Sequence, residues 1–361
     1  MVDNYLYQFI FIHFLFLLSL FFVLLTVSLS SQQPLCLEDE KSALLQFKDG
    51  FIIDCSASFD PSAYPKVASW ALKEGSNDCC SWDGVECNED KGHVIGLDLS
   101  SSCLCGSINS TSGLFRLLHL QRLNFADNDF YGSQIPFGVG NLSRLTYLNL
   151  SDSFFSGQMP KSLANLSSLA TLDLQYSLLH GEVPAEIFFL PNLQFLSVAY
   201  NENLIGHLPE FHSNSSLKVL TLRDTRFYGK LPASIGKLIS LYFLDFRKCL
   251  FSGSIPPSLS NLTQLTDLDL SENNLTGHIP SSLLTSMTQL IYLDLSFNKL
   301  VGVLEFDMFL KMKSLSALIL SSNNLTLLTK ANSNDTLPQF HTLGPLRKFI
   351  WTFTEVSRFL T

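Results

Sequence analysis

Residues 262–280 read LTQLTDLDLSENNLTGHIP, and the chain is organised around repeats of this phrase. The shared pattern is L-x-x-L-x-x-L-x-L-x-x-N-x-L-x-G-x-I-P. Its anchoring leucine recurs ten times, at Leu97, Leu123, Leu148, Leu172, Leu196, Leu220, Leu244, Leu268, Leu293 and Leu318. The spacing between these leucines stays between 24 and 26 residues, and a fixed period in this range indicates a stack of similar coils.

The period has a physical cause in the short strand that each coil carries. In Leu268-Asp269-Leu270 the two leucines point inward, whereas the intervening residue points to solvent. One coil cannot bury its apolar side alone, so successive coils stack around one continuous core. We therefore predict an α/β solenoid of the leucine-rich-repeat class, with a parallel sheet on its concave face. Ten coils at a strand spacing of about 4.8 Å would make a scaffold roughly 50 Å long.

Composition and motifs favour binding over catalysis. The chain has 361 residues and a net charge of -9, which disfavours nucleic acid and acidic lipid as partners. The sequence contains no His-Glu-x-x-His spacing, no Gly-x-Ser-x-Gly elbow, and no P-loop or kinase motif. We predict a non-enzymatic protein without cofactor or metal. The recurrent aspartates occupy one repeat position, which indicates a structural role; they are Asp98, Asp173, Asp245, Asp269 and Asp294.

The N-terminus predicts export. Residues 9–29 are almost continuously apolar, which is typical of a signal peptide spanning residues 1–30. An uncleaved membrane anchor is the alternative, because about 20 apolar residues can span a bilayer. Nine N-glycosylation sequons agree with export; they lie at Asn109, Asn141, Asn149, Asn165, Asn214, Asn261, Asn274, Asn324 and Asn334. Asn149 is expected on a strand of the concave face, where a glycan would block part of that surface.

Residues 31–92 are predicted to form an N-terminal cap over the open end of the first coil. Residues 38–51 have the periodicity of an amphipathic helix. In an exported chain the clustered cysteines imply disulfides rather than zinc ligands, and we predict the pairs Cys36–Cys79 and Cys80–Cys87. Cys55 has two candidate partners, Cys103 and Cys105. Cys249, in the small polar position after a strand, is expected to be a free buried thiol.

Four cap phrases resemble plant leucine-rich-repeat receptor-like proteins of the disease-resistance type; they are residues 44–48 (LLQFK), 69–70 (SW), 79–85 (CCSWDGV) and 92–99 (GHVIGLDL). The Gly-x-apolar-Pro turns between residues 157 and 280 are also similar to the plant-specific repeat class. The resemblance implies a right-handed superhelix. It also implies an extracellular repeat domain, a membrane helix and a short tail without a kinase. Such proteins act as cell-surface receptors in immunity or development together with partner kinases.

The C-terminal end departs from this family pattern. We place the solenoid at residues 93–327 and a divergent tail at residues 328–361. Pro345 interrupts a coil-like phrase, whereas family chains continue through further coils to a membrane helix. We therefore expect a truncated product or a short secreted relative, located at the outer face of the plasma membrane or outside the cell. The last coil is expected to lack a cap and to leave an open sheet edge.

The concave face supplies the candidate ligand site. Exposed aromatic residues mixed with arginine are typical of binding hot spots, and we select Tyr147, Phe195, Tyr200, Arg223, Phe243 and Arg247. Single exposed aromatics on an ordinary surface are the alternative interpretation. The preferred function is recognition of an extracellular peptide, protein or glycan with co-receptor or adaptor kinases. The alternatives are a non-functional receptor fragment or a secreted inhibitor similar to polygalacturonase-inhibiting proteins. Those inhibitors end in a cysteine-bearing cap, and this chain has no cysteine after Cys249.

Overall fold

The computed structural model describes residues 18, 36–70, 78–212, 215–309, 312–328 and 350–352. The predicted signal peptide, apart from Leu18, lies outside these residues, as do the sequons at Asn214 and Asn334. Within the described part, every helix is too short or too polar to cross a bilayer.

A twelve-stranded sheet runs the length of the solenoid with one strand per coil. Successive anchoring leucines, such as Leu148, Leu172 and Leu196, lie directly opposite one another. The inner strands are parallel, and only the first and last pairs are antiparallel. The strands are β2 (Val85–Cys87), β3 (Val94–Asp98), β5 (Arg122–Asn124), β6 (Tyr147–Asn149), β8 (Thr171–Asp173), β10 (Phe195–Ser197), β12 (Val219–Thr221), β14 (Phe243–Asp245), β16 (Asp267–Asp269), β18 (Tyr292–Asp294), β20 (Ala317–Ile319) and β22 (Ile350–Thr352). We call the solvent side of this sheet the concave face.

A second, eight-stranded parallel sheet follows the turn of each coil. Its strands are β7 (Ser156–Gly157), β9 (Leu178–Glu182), β11 (Asn203–Gly206), β13 (Arg226–Lys230), β15 (Leu250–Ser254), β17 (Asn274–Gly277), β19 (Lys299–Glu305) and β21 (Asn324–Leu328). Short helices complete the coils; they are the 3-10 turns Gly113–Arg116, Phe137–Asn141, Lys161–Asn165, Ala185–Phe189, Ala233–Lys237 and Pro257–Asn261, and the α-helices α2 (Ser281–Ser286) and α3 (Phe306–Phe309). A proline immediately precedes most of these helical segments, in an extended conformation that its fixed φ of about −65° allows.

The core between these layers is one continuous stack of leucine and phenylalanine side chains. The anchoring leucines are at most 5 % exposed. Phe130 and Phe155 join neighbouring coils, with ring centroids 4.5 Å apart, and Phe246 and Phe251 pack within one coil at 5.1 Å. This shared core confirms the predicted solenoid, since no coil buries its apolar side without its neighbours.

The asparagine that follows several of the strands ties one coil to the next. The Nδ2 of Asn201 donates hydrogen bonds to the carbonyls of Leu174 and Val198, both at 2.9 Å. The Oδ1 of Asn201 accepts the N–H of Leu179 at 3.0 Å. The same kind of bonding recurs at Asn128, Asn273, Asn298 and Asn323. These bonds satisfy buried backbone groups that the turning chain would leave open.

Cys249 fills this same position as a free buried thiol, and its Sγ lies 3.1 Å from the carbonyl oxygen of Leu222. Burial raises the pKa of the Cys249 thiol to about 12. The thiol therefore stays protonated at physiological pH, as expected of an inert structural cysteine.

The cap begins with α1 (Glu38–Lys48) and continues into β1 (Phe51–Ile53), which pairs antiparallel with β4 (Leu104–Gly106). The helix is three residues shorter than predicted, and Phe51 lies in β1 rather than on the helix. Phe47 stacks on Phe125 of the solenoid with ring centroids 5.4 Å apart. The cap thus covers the apolar end of the first coil.

Three disulfides fasten the cap. The predicted pairs Cys36–Cys79 and Cys80–Cys87 are confirmed. Cys55 pairs with Cys103, which resolves the open choice and leaves Cys105 as a buried free thiol.

The expectation of an open sheet edge at the last coil is wrong. Residues 350–352 form β22, which pairs antiparallel with β20. Leu318 lies opposite Trp351 in this pairing. The short returning strand therefore occupies the backbone groups along that edge.

Candidate ligand-binding site on the concave face

The first positions of three central concave strands form an apolar row. Phe195 on β10 and Phe243 on β14 both lie directly opposite Val219 on β12. Because parallel strands of one sheet hold equivalent residues in line, the two phenylalanines point to the same side with the valine between them. Both rings are half-buried, and they form the floor of the candidate site.

Two tyrosines form one wall of the site. Tyr176 and Tyr200 both have left-handed backbone conformations, with φ values of 50° and 57°, at the equivalent turn position of neighbouring coils. Their rings stack with centroids 4.0 Å apart and an interplanar angle of 9°. The hydrogen bond to Tyr200 raises the pKa of the Tyr176 hydroxyl to about 12. The candidate residues chosen from the sequence include Tyr200 but not Tyr176, although the two residues occupy equivalent turn positions.

Arg223 connects this wall to a buried carboxylate. Its guanidinium carbon lies 5.4 Å from the ring centroid of Tyr200, and its Nη1 lies 3.5 Å from Oδ2 of Asp245. Burial raises the pKa of Asp245, while the N–H of Arg247 and the charge of Arg223 oppose that rise. The Nε of Arg223 is buried without a hydrogen-bond partner among the described residues. The site therefore offers an arginine donor next to an aromatic surface.

These elements enclose an open depression of about 360 Å³. Its lining residues are Gln175, Phe195, Ala199, Tyr200, Val219, Thr221, Arg223, Tyr242, Phe243 and Asp245. We call this surface the central patch. It joins an apolar floor to a few polar groups, a composition that suits an extended or ring-shaped ligand.

The remaining two selected residues lie elsewhere. Tyr147 lines a separate depression of about 250 Å³ near the cap, together with Glu86 and Arg122. We call it the N-terminal patch. Arg247 is held by Glu272, with its Nη2 2.8 Å from Oε1, and does not line the central patch. Four of the six selected residues therefore meet in the central patch, Tyr147 lines the N-terminal patch, and Arg247 lines neither.

The recurrent aspartates have the structural role that the sequence indicated. Each accepts the backbone N–H two residues further on, with Asp173 accepting from Gln175 at 3.2 Å and Asp269 from Ser271 at 2.9 Å; Asp98, Asp245 and Asp294 do the same. Burial raises the pKa of both Asp173 and Asp269 to about 6. Through these hydrogen bonds the carboxyls fix the ends of the strands that carry them.

Six of the sequon asparagines in the described part are exposed; they are Asn109, Asn141, Asn165, Asn261, Asn274 and Asn324. Asn149 is the seventh and is half-buried at the end of β6. Its Oδ1 accepts the N–H of Ser151 at 2.9 Å, and its Nδ2 lies 3.3 Å from the hydroxyl of Tyr147. It lies on the concave face, as predicted, next to the N-terminal patch.

Family models agree with this architecture. A leucine rich repeat N-terminal domain matches residues 37–88, and leucine rich repeats match residues 144–166, 240–262 and 263–325. The chain belongs to the leucine-rich-repeat proteins. It is 43% identical over 132 residues to receptor-like protein 6 of Arabidopsis thaliana, a match covering 34% of this chain and 13% of that protein. It is 44% identical over 128 residues to receptor-like protein Cf-9 of Solanum pimpinellifolium, covering 33% and 14%.

Solved structures show the same fold. The ectodomain of the Arabidopsis thaliana receptor kinase GASSHO1/SCHENGEN3, in complex with CASPARIAN STRIP INTEGRITY FACTOR 2, matches with a TM-score of 0.67 and 31% identity. That match covers 78% of this chain and 32% of the ectodomain. A plant ice-binding protein matches with a TM-score of 0.64 and 28% identity over 81% of this chain and 88% of its own. By sequence, the match spans only 13% of receptor-like protein 6 and 14% of receptor-like protein Cf-9, so this chain covers a small part of the length of either.

Proposed function

We propose that this chain recognises an extracellular peptide, protein or glycan through the central patch, as the ligand-binding part of a receptor-like protein. The observation that carries the proposal is the convergence of Phe195, Tyr200, Arg223 and Phe243 on one depression. Aromatic side chains and arginine dominate binding energy at protein interfaces. The rigid stack of coils holds these side chains in place, so little ordering is required when a ligand binds.

Signal transmission through a partner kinase is the second part of the proposal. The Arabidopsis receptor kinase HAESA, solved with the peptide hormone IDA and the co-receptor SERK1, matches with a TM-score of 0.58 and 29% identity. The match covers 80% of this chain and 54% of that one. By analogy of fold, a ligand on the concave face of this chain would create a surface shared with a co-receptor. We place the complex at the outer face of the plasma membrane, in defence or developmental signalling.

A ligand screen followed by alanine substitution tests the proposal. The secreted full-length chain is screened against a random-peptide display library and a glycan array, and the ligands that it enriches are measured by titration calorimetry. In the triple variant Phe195→Ala, Arg223→Ala, Phe243→Ala, the affinity for those ligands should fall by at least about a hundredfold, as for a hot-spot cluster. The melting temperature should confirm that the variant is folded.

The matched control is the double variant Arg122→Ala, Tyr147→Ala, which removes the same chemistry from the N-terminal patch. It should bind the enriched ligands as the unmodified chain does. Equal binding by the folded triple variant would assign recognition to another surface. A folded wild-type chain that enriches no ligand would contradict the recognition role itself.

A further inference from the structure

Three metal-ligating side chains meet where the cap joins the solenoid. Glu40 lies in the first turn of α1, His93 immediately precedes β3, and His119 lies in the loop before β5. The Nδ1 of His93 is 3.1 Å from Oε1 of Glu40, and the Nδ1 of His119 is 3.5 Å from the same oxygen. The three ligand atoms all lie within 4.8 Å of one another.

These separations fit the coordination sphere of a small transition-metal ion. A tetrahedral ion with bonds of 2.0–2.1 Å has ligand atoms about 3.3–3.4 Å apart. The two nitrogen–oxygen distances of 3.1 and 3.5 Å bracket that value. Two histidines and one glutamate are a recognised donor set for zinc with one coordination position left open.

The carboxylate is prepared as a ligand by its surroundings. Glu40 is 6% exposed, and its Oε2 accepts the backbone N–H of Val94 at 2.7 Å. That bond fixes the second oxygen and aims Oε1 at the two imidazoles, as outer hydrogen bonds do at metal centres. The imidazoles are 23% and 31% exposed, so an ion and its bound water can reach the cluster from solvent.

We propose that Glu40, His93 and His119 bind one divalent transition-metal ion of the zinc type. The histidine rings now stack with centroids 3.6 Å apart and an interplanar angle of 20°. Binding requires the more exposed ring, that of His119, to turn about its Cβ–Cγ bond until its Nδ1 lone pair faces the ion. A neutral ring protonated at Nδ1 first changes tautomer through solvent, so that its one proton moves to Nε2, whereas a ring protonated at both nitrogens releases its Nδ1 proton to solvent. Water fills the open position.

The ion would join three separate parts of the chain. Its ligands come from α1, from the edge of the first coil and from the approach to the second coil, so binding would fasten the cap to the solenoid. Because only the folded chain brings the three side chains together, the ion would stabilise the folded state. The nearby cysteine group of Cys36, Cys79 and Cys80 does not compete, since all three are in disulfides.

Sequence spacing could not find this site. His93 lies 53 residues from Glu40, and the sequence between them contains no metal-binding motif. The arrangement exists only because the cap helix folds back over the first two coils. This explains why the sequence predicted no metal for the chain.

Calorimetric titration of the untagged, chelator-stripped full chain with zinc chloride tests the proposal. We expect one ion per chain, visible absorption bands of tetrahedral form when cobalt(II) replaces zinc, and a higher melting temperature with zinc. His93→Ala and His119→Ala should each abolish all three effects. His207→Ala is the matched control, because a single carboxylate of the described residues, that of Glu182, lies within ion-pair distance of His207, at 3.5 Å on an exposed surface.

The wild-type measurement decides the proposal even if a variant fails to fold. A wild-type chain that binds no zinc, or whose cobalt form lacks the visible bands, would show that Glu40, His93 and His119 are linked by hydrogen bonds and do not bind a metal ion. Zinc binding that persists in both folded histidine variants would move the site elsewhere.

Discussion

The concave face presents the same contact twice, in two different settings. The guanidinium carbon of Arg122 lies 5.4 Å from the ring centroid of Tyr147 in the N-terminal patch, and that of Arg223 lies 5.4 Å from the ring centroid of Tyr200 in the central patch. Arg223 also pairs with the buried Asp245, whereas the described residues place no carboxylate within ion-pair distance of Arg122. The same arginine–tyrosine contact is therefore held by an ion pair to a buried aspartate in the central patch and, within the part of the chain that the structure describes, lacks such a pair in the N-terminal patch.

The difference follows from the last position of each concave strand. In the second and third coils this position holds Asn124 and Asn149, and in the fourth and seventh coils it holds Asp173 and Asp245. Both residue types accept the same backbone N–H two residues on. Only the aspartates add a buried charge, and that charge holds Arg223 in place. The repeat thus keeps one structural bond while varying the electrostatics of the face.

The largest expected effect on stability comes from Asp173→Asn, which places at this strand end the asparagine that Asn124 and Asn149 supply at the equivalent position. Burial raises the pKa of Asp173 to about 6, against about 3.9 in the unfolded chain. Between these values the folded chain holds the proton that the unfolded chain has lost, so stability falls as pH rises from about 4 to about 6. The variant should lack this loss and be about 2 kcal/mol more stable than the wild type at pH 7.

Chemical denaturation at pH 4 and pH 7 measures this effect, and the two proteins should differ little at pH 4. Asp90→Asn is the control, because it makes the same charge change on an exposed turn. An Asp173→Asn chain no more stable than the wild type at pH 7 would mean that the buried carboxylate costs nothing in the fold.

The next effect in size separates the two arginines. Arg223→Ala leaves the carboxylate of Asp245, with 9% of its side chain exposed, without its charged partner, and should cost about 1 kcal/mol. Arg122→Ala removes an exposed cation–π contact and should change stability by less than about 0.5 kcal/mol. Urea unfolding of both variants tests this order. Equal losses of stability in the two variants would show that the Arg223–Asp245 ion pair contributes nothing to the free energy of unfolding.

The fold could be predicted from the sequence because it depends on a repeated local pattern. The spacing of Leu268 and its equivalents fixes which side chains enter the core, and the strands follow that register. The polar position of Asn201 was predictable for the same reason. The strand at residues 350–352 was not, because it returns antiparallel from a segment outside the repeat.

The candidate site was only half predictable. Strand positions such as Phe195 and Phe243 follow directly from the repeat. The tyrosine wall lies at a left-handed turn that recurs in every coil four residues after the anchoring leucine, but the stacking of the Tyr176 and Tyr200 rings across coils does not follow from the leucine pattern. Tyr147 and Arg247 are the residue types expected at a binding hot spot, but neither lines the central patch. Tyr147 lies in the N-terminal patch, and the guanidinium of Arg247 is paired with Glu272. Side-chain contacts across coils therefore require coordinates.

The smallest expected effect on stability comes from removing the glycosylation sequon of Asn149. The same change tests most directly whether the N-terminal patch is open to a ligand. Ser151→Ala destroys the sequon of Asn149 without altering Asn149 itself, and alanine already occupies the equivalent position at Ala126 and Ala199. Stability of the deglycosylated chain should change by less than about 0.5 kcal/mol. The secreted variant should migrate faster than the wild type by one glycan, and enzymatic deglycosylation should erase the difference.

Ala126→Ser is the reciprocal change, because it creates a sequon at Asn124 one coil earlier. This variant should migrate more slowly, again by one glycan. If Ser151→Ala leaves the mobility unchanged, Asn149 carries no glycan and the N-terminal patch is open. If it increases the mobility, the sugar covers Tyr147 and Arg122, since Nδ2 of Asn149 lies 3.3 Å from the Tyr147 hydroxyl. Of the two patches, only the central one would then remain free for a ligand.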